Sequence, residues 1–394
     1  MDEASERERG ETRRRVSGAC VALVGLASIA ACGRGAAPRA RPTPEPRAAA
    51  APAGAAPTGV VLYVDESRGF PSAAWIPADG RGRALIGPAD APSYPQTILG
   101  DTIALVVGGD GDDVLVGVPA HTLAPTLARG GAGTATTAGR LRALETLGSL
   151  HKHVRPLDAR TLVFEAAIDG FRDLYAVDVP TQRLERLTDA PEGSFDPAPS
   201  PDGKWIAFAS SRAGQLDLWL LERATRRLER LTDHPGDAIQ PTWVDGGRAL
   251  LYLSGRDGTD GLLRVELATK KVDAVTGPRA VHEAFAVSPD GRHVAFTTPT
   301  RSGQVALHVR SLVDGAERTL SGPGDRDSEP TWSPDGAWLA FTHTVSGVPN
   351  LSGVPNVWRV RADGSARAQL THEPRGAWRP RWFPTPTPSE GDSR

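Results

Sequence analysis

Hydrophobic residues in this chain fall into short runs separated by tight polar turns, and the same arrangement returns at a fixed interval. The stretch from Ser194 to Asp233 holds one unit. Trp205 to Ala209 is a nearly continuous apolar run and predicts a strand, as does Asp217 to Leu221 after a loop containing Gly214. Arg227 to Leu231 alternates charged and apolar residues, the pattern of a half-exposed outer strand. Ser200-Pro201-Asp202-Gly203 predicts a turn, because Pro presets φ, Asp bonds its own backbone and Gly tolerates positive φ. Forty-four residues earlier, Asp173-Leu174-Tyr175 stands where Asp217-Leu218-Trp219 stands, and Arg183 to Asp189 repeats Arg227 to Asp233 letter for letter. A period in the forties with several short strands per unit predicts an all-β propeller of four-stranded blades. One such sheet cannot bury both faces alone, so blades must stack.

The turns count the blades. Ser200-Pro201-Asp202-Gly203 is followed by Asp245-Gly246-Gly247, Ser288-Pro289-Asp290-Gly291 and Ser333-Pro334-Asp335-Gly336. Five clear units lie near residues 150–190, 195–234, 240–277, 284–321 and 329–372. A tandem repeat of Ser346-Gly347-Val348-Pro349-Asn350 at Ser352 to Asn356 explains the longer last interval. Upstream, Val60 to Asp65, Ala73 to Pro77 and Arg83 to Ile86 predict three strands, and Thr102 to Val107, Val114 to Val118 and Thr122 to Leu127 three more. Seven blades fit this count, with six or eight as alternatives. Trp378 to Phe383 resembles an innermost strand without a blade of its own, and completes the first blade, which starts directly at a second strand. Such closure removes an exposed sheet edge. Arg140 to Leu150 is a short helix or a linker strand, and the period does not decide.

Composition narrows the function classes. A net charge of −2 gives no electrostatic footprint for nucleic acid. Both cysteines, Cys20 and Cys32, precede the repeats, so packing alone must hold the fold. The N-terminus reads as an export signal over residues 1–31: Arg13-Arg14-Arg15, then an apolar run from Val16 to Ala31. Ile29-Ala30-Ala31-Cys32 resembles the lipobox of bacterial lipoproteins, which implies cleavage before Cys32 and its lipidation. Residues 32–58, rich in Ala, Pro and Arg, are expected to tether a propeller spanning 59–385, with a disordered tail at 386–394. Gly33 after the cysteine mildly favours the outer membrane.

The stretch Glu329-Pro330-Thr331-Trp332-Ser333-Pro334-Asp335-Gly336-Ala337-Trp338-Leu339-Ala340-Phe341-Thr342 resembles the WD40-like PD40 repeat of the TolB family, also found in propellers of some peptidases and lyases. TolB is similar to a six-bladed propeller behind a small α/β domain. Here a tether and a lipidation signal stand in that domain's place.

In propellers the innermost strands line an axial channel where ligands usually sit. Aligning the turns puts Lys152, Asp196, Gln240, Ala284, Glu329 and Arg379 at one position of that lining. This ring either binds a peptide or polar partner, or is a solvated channel whose polar groups satisfy one another. Asp202, Asp290 and Asp335 belong to turns, and Trp243, Trp332 and Trp382 recur at the period as packing between blades. His151, His153 and His282, with Glu329, form a weak candidate set for a divalent cation, in keeping with metal-holding lyase propellers. The acidic loops Asp110 to Asp113 and Asp257 to Asp260 are read as hairpin turns before Ca²⁺ sites. No G-x-S-x-G elbow, P-loop, dinucleotide fingerprint or zinc-protease helix occurs, so no cofactor is expected. The sequence therefore predicts a monomeric, lipid-anchored envelope protein whose propeller binds a protein or peptide without catalysis. The alternative is a lyase or hydrolase acting on an envelope or extracellular polymer through a metal at the axial mouth.

Overall fold

The computed structural model describes residues 56–108, 113–120, 132–133, 142–144, 149–168, 170–255, 261–277, 285–300, 304–345 and 353–386, with only the backbone described for 132–133, 142–144, 149–152 and 345. Residues 1–31, most of the stretch 32–58, Thr122 to Leu127, His282, Ala284, Asp257 to Asp260 and nearly all of 386–394 lie outside this set.

Seven sheets, antiparallel but for one short pairing at the edge of the first, form seven blades. Their innermost strands are, in order, Ala377–Phe383, Ser93–Leu99, Ser149–Pro156, Ser194–Pro199, Ala238–Val244, Phe285–Val287 and Asp325–Trp332. The C-terminal strand pairs with Val60–Asp65, so the last strand of the chain completes the first blade.

Each interface between neighbouring blades carries one apolar cluster. Ala207, Leu218 and Leu220 of blade 4 meet Leu250, Tyr252 and Val265 of blade 5, while Ile206, Phe208 and Leu221 face Val163 and Leu174 of blade 3. Successive residues of one strand point to opposite faces, and both faces are buried. That geometry is why the middle strands read as continuous apolar runs. The ring closes where Val61, Tyr63 and Ile76 of blade 1 pack on Trp338, Ala340 and Val357 of blade 7.

The repeated letters have structural reasons. In the turn after the innermost strand, Ser200 Oγ donates to Asp202 Oδ1 at 2.7 Å and accepts from Trp205 N at 2.9 Å, while Gly203 takes φ +68°. Ser288 with Asp290 and Ser333 with Asp335 repeat the bond at 2.5 Å. The recurring Arg-Leu-Thr-Asp segment closes the outer edge of a blade. Thr232 Oγ1 donates to the buried Asp217 Oδ1 at 3.1 Å and accepts from Leu218 N, and Arg230 Nη2 reaches Asp217 Oδ2 at 2.5 Å. Thr188, Asp173 and Arg186 build the same clasp in blade 3.

The two upstream blades depart from the expectation. Blade 2 has an innermost strand, Ser93–Leu99, that the pattern did not reveal, since Pro95 and Gln96 interrupt it and no Ser-Pro-Asp-Gly turn follows it. The undecided segment 140–150 contributes two strands: Arg142–Leu144 ends blade 2 and Ser149–Pro156 opens blade 3. Ala132–Gly133 pairs in parallel with Arg83–Leu85 and gives blade 1 a fifth strand.

Candidate functional site

The innermost strands enclose an axial cavity of about 1070 Å³. Its upper level is a ring of bulged residues. His153, Asp196, Gln240, Glu329 and Arg379 all take φ between +52° and +55°, where non-glycine residues are uncommon. At Asp196, Gln240 and Glu329 the strand pairing shifts beside the residue, which marks a β-bulge that re-aims the side chain. Blade 3 supplies His153 here, one residue after Lys152, and blade 2 supplies Gln96. The turn-based alignment was off by one in blade 3, because the segment from ring to turn is a residue shorter there: His153 stands five residues before Asp158, and Asp196 six before Asp202. The expected Ala284 is not among the described residues, nor is His282; the side chains of His151 and Lys152 are likewise outside them.

The ring acids tie blades together. Asp196 Oδ2 accepts the backbone N–H of Gln240 at 3.1 Å, and Glu329 Oε2 accepts that of Arg379 at 3.0 Å. Glu165, a buried residue of the second strand of blade 3, accepts the N–H of Asp196 at 2.9 Å. Charges at this level also settle in pairs. Arg379 Nε lies 3.2 Å from Glu329, and His153 Nδ1 lies 2.9 Å from Asp196 and 3.5 Å from Glu165. Burial opposes the charge on His153, but the two carboxylates outweigh it and hold the imidazole up at about 9. Burial pushes the Asp196 carboxyl up, and the imidazolium more than offsets this, leaving it below its ordinary range. Arg172 completes the network by pairing with Glu165 and stacking over Phe195.

His153, Glu165 and Asp196 place their ligand atoms within 4.8 Å of one another, a spacing that could hold a cation. The Arg172 guanidinium already neutralises Glu165 there, and the imidazolium neutralises Asp196, so a divalent ion would have to displace two positive charges. Asp325, Asp327 and His343 in blade 7 are similarly close, with Arg367 Nη2 3.0 Å from both Asp325 and Asp327.

Two residues further along each innermost strand is a second level, lined by Arg155, Ala198, Thr242, Ala286, Thr331 and Arg381. The lining continues to Pro201 in a turn, so the cavity extends from the ring toward the turn end of the strands. The recurrent tryptophans stiffen this wall: Trp243 Nε1 donates to Ala198 O at 2.7 Å and Trp332 Nε1 to Ala286 O at 2.9 Å, each crossing to the preceding blade. Trp382 instead donates within its own blade, to Thr58 O. Sequence reasoning missed Glu165, Arg172, Arg155 and Arg381. The arginines had a visible signal, since they break a position otherwise filled by Ala and Thr.

Seven blades, six of four strands and one of five, around a polar axial channel define a β-propeller. Residues 157–386 match the TolB beta propeller domain, PD40, and the chain belongs to that family. Over 97 residues, 25% of this chain, it is 31% identical to a Protein TolB homolog of Chlorobaculum tepidum. The match spans 20% of that relative, and 31% of an uncharacterized Agrobacterium fabrum protein that it resembles equally. Among solved structures, TolB from Acinetobacter baumannii superposes with a TM-score of 0.51 at 17% identity, covering 83% of this chain and 67% of that one. A puromycin-hydrolyzing peptidase of Mycobacterium tuberculosis reaches 0.60 at 16% identity, covering 80% and 53%. At such identities the likeness is one of fold.

Proposed function

We propose that this TolB-like propeller is a non-catalytic scaffold that binds a segment of another protein in its axial channel. One observation carries the reading: a cavity of about 1070 Å³ walled by strands whose ring residues are already fixed by bulges and hydrogen bonds between blades. A site so preorganised binds without first ordering itself. Gln240 and Arg379 are the ring residues whose side chains face a ligand, while Asp196 and Glu329 hold the ring in shape. Lys152 flanks His153 on the same strand. The lyase or hydrolase alternative would route through a cation at His153, Glu165 and Asp196, where Arg172 and the imidazolium already supply the positive charge.

In the same proposal, residues 1–31 direct export, Cys32 carries the lipid, and residues 32–58 hold a monomeric propeller over 59–385 away from the membrane, the outer one being favoured by Gly33. Its partner is then an envelope protein, and the pairing involves no nucleic acid. Cys32→Ser is expected to move the protein from the membrane to the soluble fraction; retention in the membrane would sink the anchor.

The scaffold is tested by capture from detergent-solubilised envelopes on the immobilised full chain. Gln240→Ala/Arg379→Ala, with an unchanged melting temperature, is expected to lose the protein that the wild type recovers. Equal recovery by both would move the binding surface off the channel, and no recovery by the wild type would end the reading.

A further inference from the structure

The two levels of the channel settle their charges differently. In the ring, each described acid meets a base: His153 meets Asp196, and Arg379 meets Glu329. At the second level, four blades contribute Ala198, Thr242, Ala286 and Thr331, which leave space, and two contribute Arg155 and Arg381. Among the described residues no carboxylate lies within ion-pairing distance of either guanidinium. Arg155 is exposed to the channel and Arg381 is half-buried in its wall. Partial loss of solvent lowers Arg381 to about 10, with Arg155 and Arg379 pushing the same way and Glu329 opposing. Arg155 is lowered by the same cause, against the pull of Asp196. Two like charges held together without a counter-ion destabilise the empty fold, and Ala or Thr, as in the other blades, would remove that cost.

We propose that Arg155 and Arg381 together receive one carboxylate, presented by an acidic side chain or the C-terminus of a peptide segment lying in the channel. This rests on the scaffold reading above. Guanidinium groups suit the task because their planar forks match a carboxylate with paired N–H donors, and both charges are neutralised at once. The ring above sets the number of anionic groups. Its bases are already taken by its acids, His153 by Asp196 and Arg379 by Glu329, and offer no free positive charge to further anionic groups, so the geometry favours a single carboxylate on an otherwise uncharged segment over a polyanion. Pro197, Pro241, Pro330 and Trp243 provide apolar wall for the rest of it.

The test titrates the full chain with three probes: the peptide Ac-Gly-Glu-Gly-NH2, its Gln counterpart, and inorganic phosphate, read by calorimetry and by thermal melting. The Glu peptide is expected to bind and to raise the melting temperature, and the Gln peptide to do neither. Arg155→Gln/Arg381→Gln is expected to weaken the Glu peptide roughly ten-fold or more, since charge-assisted hydrogen bonds are lost, while Arg381→Lys retains part of the affinity. Without ligand the double variant should melt no lower than the wild type; a purely structural pair would make it melt lower. Equal binding of Glu and Gln peptides, equal binding by the double variant, or binding of phosphate but not of the Glu peptide would overturn the assignment. The two readings can fail separately. If the double variant captures the same envelope protein as the wild type, the carboxylate receptor falls and the scaffold stands. If the wild type captures nothing yet binds the Glu peptide through these arginines, the receptor stands and the scaffold falls.

Discussion

Charged residues serve this propeller in two regions, and the regions treat them in opposite ways. At the outer edges of blades 3 and 4, Asp173 and Asp217 are fully buried, each bonded to the last Arg of the outer strand and to a Thr two residues beyond it. In the channel, Arg155 and Arg381 face solvent and feel one another's charge, with no carboxylate at contact distance among the described residues. The hydroxyl of each clasp recurs beyond these two blades, at Thr276, Ser321 and Thr371 of blades 5, 6 and 7, where it again accepts a backbone N–H of the neighbouring strand, because each of these edges must be closed. The channel arginines occur in only two of the blades, since a ligand in an axial channel needs a particular charge at a particular place and no blade needs it to fold. In a repeat protein, repetition marks what the fold requires, and departure from it marks where function can reside.

Three measurements would sharpen or break this contrast. The largest effect is expected at a clasp. Asp217→Ala leaves the Arg230 guanidinium and the Thr232 hydroxyl without their buried acceptor, and should cost about 3 kcal/mol of stability by denaturant unfolding, the lower end for broken buried pairs because Arg230 is partly exposed. A cost near zero would remove the clasp from the structural side of the comparison.

The second effect concerns the ring, where His153 is positively charged in the folded protein. Its pKa rises from 6.5 to about 9. Between those values the folded state holds a proton that the unfolded chain has released, so stability is greatest below about pH 6.5 and is lost as pH climbs through about 9. With His153 about one-third exposed, solvent screening reduces the contribution to about 1 kcal/mol. His153→Gln should flatten the stability profile over that window; an unchanged slope would mean the imidazole is not held by Asp196 and Glu165.

The smallest effect carries the opposite sign. Arg381→Gln should raise the stability of the ligand-free protein by about 0.5 kcal/mol, because its charge no longer repels Arg155 and Arg379. A loss of stability instead would place Arg381 with the clasps.

The repeat made much of the architecture legible without coordinates. Blade period, turn chemistry, the outer strands and closure by the C-terminal strand all follow from local signals: an apolar run buried on both faces, a Ser-Pro-Asp-Gly turn, and an Arg-Leu-Thr-Asp edge. Where those signals fade, as in Ser93–Leu99, the strand stayed hidden, since its neighbours in space rather than its own letters hold it. Asp196, Gln240, Glu329 and Arg379 could be placed in one ring because a fixed period carries equivalent positions to equivalent places. His153 took the position assigned to Lys152, because the segment between ring and turn is one residue shorter in blade 3 than in blade 4, which the turns alone do not reveal.

What the sequence by itself determined is therefore the unit and its repetition, which depend on contacts within a blade or between adjacent ones. Which ring acids accept a backbone N–H, that Glu165 and Arg172 join His153, and that Arg155 and Arg381 share one level of the channel were decided only by the tertiary structure. Those relations join residues up to more than 200 positions apart in the chain, and they exist only once seven blades close around an axis.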